Sequence, residues 1–364
     1  MPHLFIAITA HGFGHVAQVA PIAHALCRHI PNLRVTLQGT VSRAMVEARM
    51  PPGCRYIEQA ADVALPMDGP LHARWQEGLE VYTAFDAEHG HHQARQRALL
   101  LQDRPDLVLS SVPWVPLEAA RDLGIPAVAL CSLSWYDILA DSPVGALLPT
   151  SLVEHMRSAY AGADLFIRPA PSMPMAWLPN GRDIGPIAEP RPRDPAGLRA
   201  RLGIEPDQRL VLMLFGGAGR VRLGDEQPLP ADVHLLTPDA AVAERRDRVS
   251  VIGGGQGIGG DIHVLDALAS CDAIITKPGY GTFAEAAGNG IPVLYVPRGD
   301  WPEEPYLVDW LTKRVPTRAV AVSDFAAGRI GRPLRELLDC GPVAPVPATG
   351  VDEAVGLLAD YLRG

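Results

Sequence analysis

Between residues 166 and 195 the chain reads "FIRPAPSMPMAWLPNGRDIGPIAEPRPRDP", so dense in proline that neither a regular helix nor a central strand should persist through it. The same rhythm occurs on both sides of this break. Before it, "HLFIAI" is an apolar run of strand length, "TAHGFGH" a turn, and "VAQVAPIAHALCRHI" has apolar positions at helical spacing; "LRVTLQGT" is the next strand. "PDLVLSS", "VPLEAARDLGI" and "PAVALCSLSW" repeat the cycle. After it, "RLVLMLF", "ADVHLLT", "RVSVIG", "DIHVL", "CDAIIT" and "IPVLYVP" read as short buried strands, and "GVDEAVGLLADYLRG" as a closing amphipathic helix. Such alternation predicts an α/β fold of mostly parallel sheets with helices on both faces. A chain of 364 residues also exceeds the size at which one core usually stops growing. We therefore expect two doubly wound, Rossmann-like domains facing a cleft: residues 1–168, a proline-rich linker over 169–193, and residues 194–364, with the last helix a candidate to pack back on the first domain. Asp194 is the expected N-cap of "PAGLRARLGI". Ligands of such sheets sit beyond the carboxyl ends of the strands.

Composition narrows the partners. Lys and Arg total 32 against 41 Asp and Glu, a formal charge of -9, which argues against a general nucleic-acid binder. The five cysteines are scattered without CxxC spacing, so neither a disulfide framework nor a structural zinc site is indicated. "MPHLFIAITAHGFGH" lacks a basic leader, and no apolar stretch approaches the roughly 20 residues of a membrane span. A cytoplasmic protein without stable membrane insertion is expected; nothing fixes its oligomeric state.

The turns carry the chemistry. In "CDAIITKPGYGTFAEAAGNG" a buried strand turns sharply into a helix whose first amides are unpaired and favour an anion. Gly279 and Gly281 let backbone approach a phosphate, Thr282 adds a hydroxyl, Lys277 a cation, and Glu285, one turn on, suits a ribose diol. The plainer alternative is an ordinary strand-to-helix turn with a solvated glutamate. "LFGGAGR" repeats the logic with Gly216, Gly217 and Gly219, and with Arg220 in reach of a diphosphate; a tight turn with a surface arginine is its alternative. "GGGQGIGG" contains a formal GxGxxG but leads into "DIHVL" rather than a helix, so the dinucleotide reading is rejected. In "TAHGFGHVAQ", His11 and His15 bracket two glycines at the end of the first strand, where a side chain able to take a proton near neutral pH would meet the cleft. Either is also an ordinary hydrogen-bonding histidine. "EHGHHQ" (His89, His91, His92) matches no standard zinc helix pattern and reads as a solvated helix start or mobile loop.

With these turns in place the chain resembles the GT-B glycosyltransferases, and within them the glycosyltransferase-like N-terminal region of plant L-arabinokinases and its bacterial relatives. "HGFGH", "PDLVLSSVPWVPLEAARDLGIPAVALCSLSW", "LFGG" and "KPGYGTFAEA" running on to "RGDWPEEPYL" carry the resemblance, in family order and over most of the chain. The serine-rich phosphate loop of the kinase half is missing, so arabinokinase activity is not implied. A wider similarity runs to the peptidoglycan N-acetylglucosaminyltransferase and to small-molecule glycosyltransferases. It implies that His15 matches the histidine near the reacting hydroxyl, Gly281 and Thr282 the phosphate turn, and Glu285 the ribose-binding carboxylate. Val264 is placed on the donor side with them. Asp300, Glu303 and Glu304 fall where the donor sugar's hydroxyls are held, although "DWPEE" departs from the Asp/Gln pair common there. Ser111 stands where relatives usually show aspartate.

The implied chemistry is glycosyl transfer from a nucleotide-diphosphate sugar, a UDP-sugar by preference, to an unidentified small-molecule or glycan acceptor, with inversion, no cofactor and no bound metal. His15 is the expected base. Trp114, Trp135 and Tyr136 are candidates for an acceptor wall, with first-domain core as their alternative. A nucleotide-sugar 2-epimerase of the same fold, and a non-catalytic nucleotide-sugar sensor or partner protein, are the rival readings.

Overall fold

The computed structural model describes residues 1–10, 13–216, 221–244, 247–253 and 260–363. The first sheet is built from β1 (His3–Ile8), β2 (Arg34–Gly39), β3 (Arg55–Glu58), β6 (Leu107–Ser111), β7 (Ala127–Leu130), β8 (Leu165–Pro169) and β9 (Gly181–Ile184); β4 (Met67–Asp68) and β5 (His72–Ala73) form a separate antiparallel pair. Its seven strands run parallel in the order β3-β2-β1-β6-β7-β8-β9. The apolar runs follow from this topology, because a parallel sheet covered by helices is buried on both faces. In β1, Leu4, Ile6 and Ile8 enter one core while Phe5 and Ala7 enter the other.

The second sheet orders β10 (Arg209–Met213), β11 (Val233–Thr237), β12 (Val249–Val251), β13 (Ala273–Thr276), β14 (Val293–Tyr295) and β15 (Thr317–Ala319) as β12-β11-β10-β13-β14-β15, again parallel. Strand order reverses between β1 and β6 in the first sheet and between β10 and β13 in the second. These reversals open the crevices in which doubly wound sheets bind ligands.

Two expectations need correction. The proline-rich stretch is not all linker: β9 pairs with β8, Phe166 opposite Gly181 and Pro169 opposite Ile184, so the first sheet continues to Ile184. An edge strand needs hydrogen bonds on one side only and tolerates prolines nearby. "DIHVL" is not a strand. His263 accepts a hydrogen bond from the Leu265 N–H at 3.2 Å and caps the helix Val264–Ser270, which buries Leu265, Ala267 and Leu268 at helical spacing. A helix therefore does follow the glycine run, whose residues 254–259 lie outside the described residues. The dinucleotide reading still fails, because β12 is the edge of its sheet and not the strand at its reversal.

Asp194 caps the helix Pro195–Leu202, accepting from the Gly197 N–H at 2.8 Å. The closing helix Gly350–Arg363 returns to the first domain: Ala354, Val355, Leu358 and Leu362 share a core with Ile6, Val16 and Leu26.

Candidate active site

The reversal of the first sheet is occupied by His15. It lies in the first turn of the helix Phe13–His29, is 8% exposed, and its Nδ1 is 3.2 Å from Ser111 Oγ at the end of β6. Cys131 Sγ, just past β7, is 3.8 Å from the same nitrogen. A Cβ at Gly14 would meet no atom within 4 Å. His11 lies outside the described residues. The strand end before it is held by Asp62, whose Oδ1 accepts the Ala10 N–H at 2.8 Å and whose Oδ2 accepts the Trp135 indole N–H at 3.1 Å. Burial pushes the Asp62 carboxyl up to about 7.

The second reversal holds the turns after β10 and β13. Gly216 has φ +54, in the left-handed region that favours glycine; Gly217 and Arg220 lie outside the described residues. Gly279 is the N-cap of the helix Tyr280–Gly288 at φ -162, extended backbone that any residue adopts. A Cβ at Gly281 would meet nothing within 4 Å, and Thr282 beside it is half-buried. Lys277 is driven down to about 7, by burial first and then by the Arg298 charge, while Glu303 and Glu304 oppose the shift. Arg298 is 6% exposed and lies over the Trp301 ring at 3.7 Å; its Nε is buried without a hydrogen-bond partner. Lys277 and Arg298 are thus crowded together near the first turn of this helix.

Glu285 does two things. Its Oε1 accepts the Glu189 N–H of the interdomain connector at 2.9 Å, while Oε2 is buried with no hydrogen-bond partner. Burial raises this carboxyl to about 7. On the same helix the Tyr280 hydroxyl accepts the Ile187 N–H at 2.9 Å, so two hydrogen bonds tie this helix to the segment 187–189.

The acidic loop faces the first domain. Ser132 Oγ donates to Glu303 Oε1 at 2.7 Å and Trp301 Nε1 to Glu303 Oε2 at 3.2 Å, so this 4% exposed carboxylate joins the domains. Glu304 Oε2 accepts the Arg298 N–H at 2.7 Å. Asp300 Oδ2 accepts the Trp75 indole N–H at 2.6 Å. Val264, at the start of its helix, is half-buried.

The acceptor wall is corrected. Trp114 and Trp135 are 0% and 1% exposed and pack with Tyr82 in the first-domain core; only Tyr136 is half-buried, edge-on to Trp177 at 5.1 Å. Trp75, Asp62 and Ser132 were missed because none sits in a turn motif. Arg298 and Trp301 lie inside "RGDWPEEPYL", where cation and aromatic flank the acids and were the available signal.

No family model matches the chain. It is 25% identical over 320 residues to L-arabinokinase of Arabidopsis thaliana, covering 85% of this chain but 30% of that protein, so the chain spans less than a third of the kinase's length. It is 25% identical over 327 residues, 81% of this chain and 79% of the relative, to UDP-N-acetylglucosamine--N-acetylmuramyl-(pentapeptide) pyrophosphoryl-undecaprenol N-acetylglucosamine transferase of Bifidobacterium longum. Among solved structures, the calicheamicin glycosyltransferase CalG4 superposes with a TM-score of 0.61 at 16% identity, over 100% of this chain and 98% of that one. In fold the chain is of the GT-B type, and in sequence it is similar to a glycosyltransferase over most of its length.

Proposed function

We propose that the chain transfers a glycosyl group from a nucleotide-diphosphate sugar, a UDP-sugar by the name of its Bifidobacterium relative, to an acceptor hydroxyl, with inversion and without a metal in the cleft. One observation carries the reading: the histidine at the first sheet's reversal and the cation-lined helix turn at the second are brought together by the Ser132–Glu303 bond. In the tautomer with Nδ1 protonated, Ser111 Oγ accepts from His15 and Nε2 is the basic nitrogen. Nε2 takes the acceptor proton, the acceptor oxygen bonds to the anomeric carbon from the far side, and the bond from that carbon to the diphosphate breaks with its electron pair on the phosphate oxygen. Lys277, Arg298 and the amides at Gly281 and Thr282 stabilise that developing charge. Serine in place of a carboxylate orients His15 without stabilising the imidazolium.

Glu285 Oε2 is the ribose acceptor, and Asp300 and Glu304 each keep an oxygen for sugar hydroxyls. Five cysteines outside any disulfide support a reducing, cytoplasmic setting. Among the described residues no helix is long and apolar enough to cross a membrane. Calorimetry with a UDP-sugar panel tests the donor site: Glu285→Ala should weaken binding by roughly 1.5–3 kcal/mol, a charge-assisted hydrogen bond, in a protein still folded but lower in Tm because the Glu189 N–H loses its acceptor. Unchanged affinity would remove Glu285 from the site.

A further inference from the structure

Away from the cleft, Asp86, His89, Glu118 and His155 meet where the helix Trp75–Ala87 gives way to the helix His89–Asp103, against Val115–Asp122 and Thr150–Ala161. One ligand atom from each of Asp86, His89 and His155 lies within 4.8 Å of the others. Asp86 Oδ1 is 2.7 Å from His155 Nδ1, and Ser151 Oγ donates to Asp86 Oδ2 at 2.6 Å, which fixes the carboxylate. The His89 and His155 rings lie face to face, centroids 3.7 Å apart and planes at 9°.

Two groups in this cluster are short of partners. Glu118 is 4% exposed, and its Oε2, 3.2 Å from His89 Nε2, makes no hydrogen bond. His89 Nδ1 is also buried without a partner. Leaving buried polar atoms unpaired is destabilising. A cation would satisfy Nδ1 directly, and a small turn of the ring would bring its Nε2–H, 3.2 Å from Glu118 Oε2, into a hydrogen bond with that carboxylate, the carboxylate–histidine–metal arrangement that fixes ring orientation.

We propose that Asp86, His89 and His155 bind one divalent transition-metal ion, with Glu118 orienting His89. Two imidazoles and a carboxylate are a zinc-type donor set. The ligand atoms must draw together to reach bonds of about 2.0–2.2 Å, and because an imidazole binds a metal in its own plane the two rings must turn out of their parallel stack; bonds to the metal then replace the Asp86–His155 hydrogen bond. The ion would tie the corner between two helices to Thr150–Ala161. Asp86 lies 11 residues from Trp75 on one helix, about 16 Å along its axis, so the site is separate from the cleft. Only His89 of the "EHGHHQ" histidines takes part: His91 is exposed and His92 stacks on Phe85 at 4.0 Å.

Tag-free protein, stripped with EDTA and dialysed, is titrated with zinc chloride by calorimetry, and its Tm is read with and without zinc. The wild type should bind a single zinc and gain Tm. His155→Ala, at a partly exposed ring where folding should persist, and Asp86→Asn should each lose that Tm gain, while Glu118→Gln should weaken zinc binding about 10–100-fold. Zinc binding or a Tm gain that survives both His155→Ala and Asp86→Asn, or a wild type that binds no zinc, overturns the site.

Discussion

Trp75, on a first-domain helix, donates its indole N–H to Asp300 of the second domain at 2.6 Å, and its ring stacks on Trp301 at 6.0 Å. The domains are thus held closed at the loop assigned to the donor sugar. Trp75→Phe keeps the stacking and deletes the donor. Because Asp300 is exposed, the loss should be about 1 kcal/mol, roughly fivefold in donor affinity, with faster amide exchange over residues 300–304. Unchanged exchange and affinity would show that the contact does not hold the loop.

Donor binding should peak near neutral pH. Glu285 binds the ribose as a carboxylate, so as pH falls through about 7 it takes up a proton that donor binding must expel, and affinity falls. Lys277 attracts the diphosphate as an ammonium, so as pH rises through about 7 its charge and the affinity decline. Calorimetry with a UDP-sugar should show both limbs. Glu285→Gln should flatten the acid limb and Lys277→Met the alkaline one; a flat wild-type profile would contradict both assignments.

His15→Ala should lower kcat by about 10²–10⁴-fold with donor affinity little changed. Ser111→Ala removes one neutral hydrogen bond to the ring and should cost about fivefold. His11→Ala should affect turnover less than His15→Ala. A fully active His15→Ala protein would place the base elsewhere.

Chelation should separate the two sites. With diphosphate charge assigned to Lys277, Arg298 and helix amides, EDTA should leave turnover at room temperature nearly intact while lowering Tm through Asp86, His89 and His155. Activity lost on chelation and restored by magnesium or manganese would contradict the assignment.

The sheets were legible because buried parallel strands leave unbroken apolar runs, and the turn after β13 because glycines mark it. β9 was hidden because proline density argues against a central strand and says little about an edge. "DIHVL" was misread because five residues fit either period and the deciding cap, His263, is a weak signal. The closure contacts were illegible for a different reason: Ser132 and Glu303 are 171 positions apart and Trp75 and Asp300 are 225 apart, so no local pattern pairs them. Trp114 and Trp135 show the converse error, since an aromatic beside a motif carries no mark of which way it faces.

Glycosyl transfer itself is tested most directly by mass spectrometry of the products when the protein is incubated with UDP-sugars, with and without a panel of hydroxyl acceptors. The account predicts an acceptor heavier by one glycosyl unit and UDP released with it, and a donor sugar left unisomerised when no acceptor is present. A donor epimerised in the absence of acceptor, or a donor that binds at Glu285 and is never transferred across the panel, would contradict it.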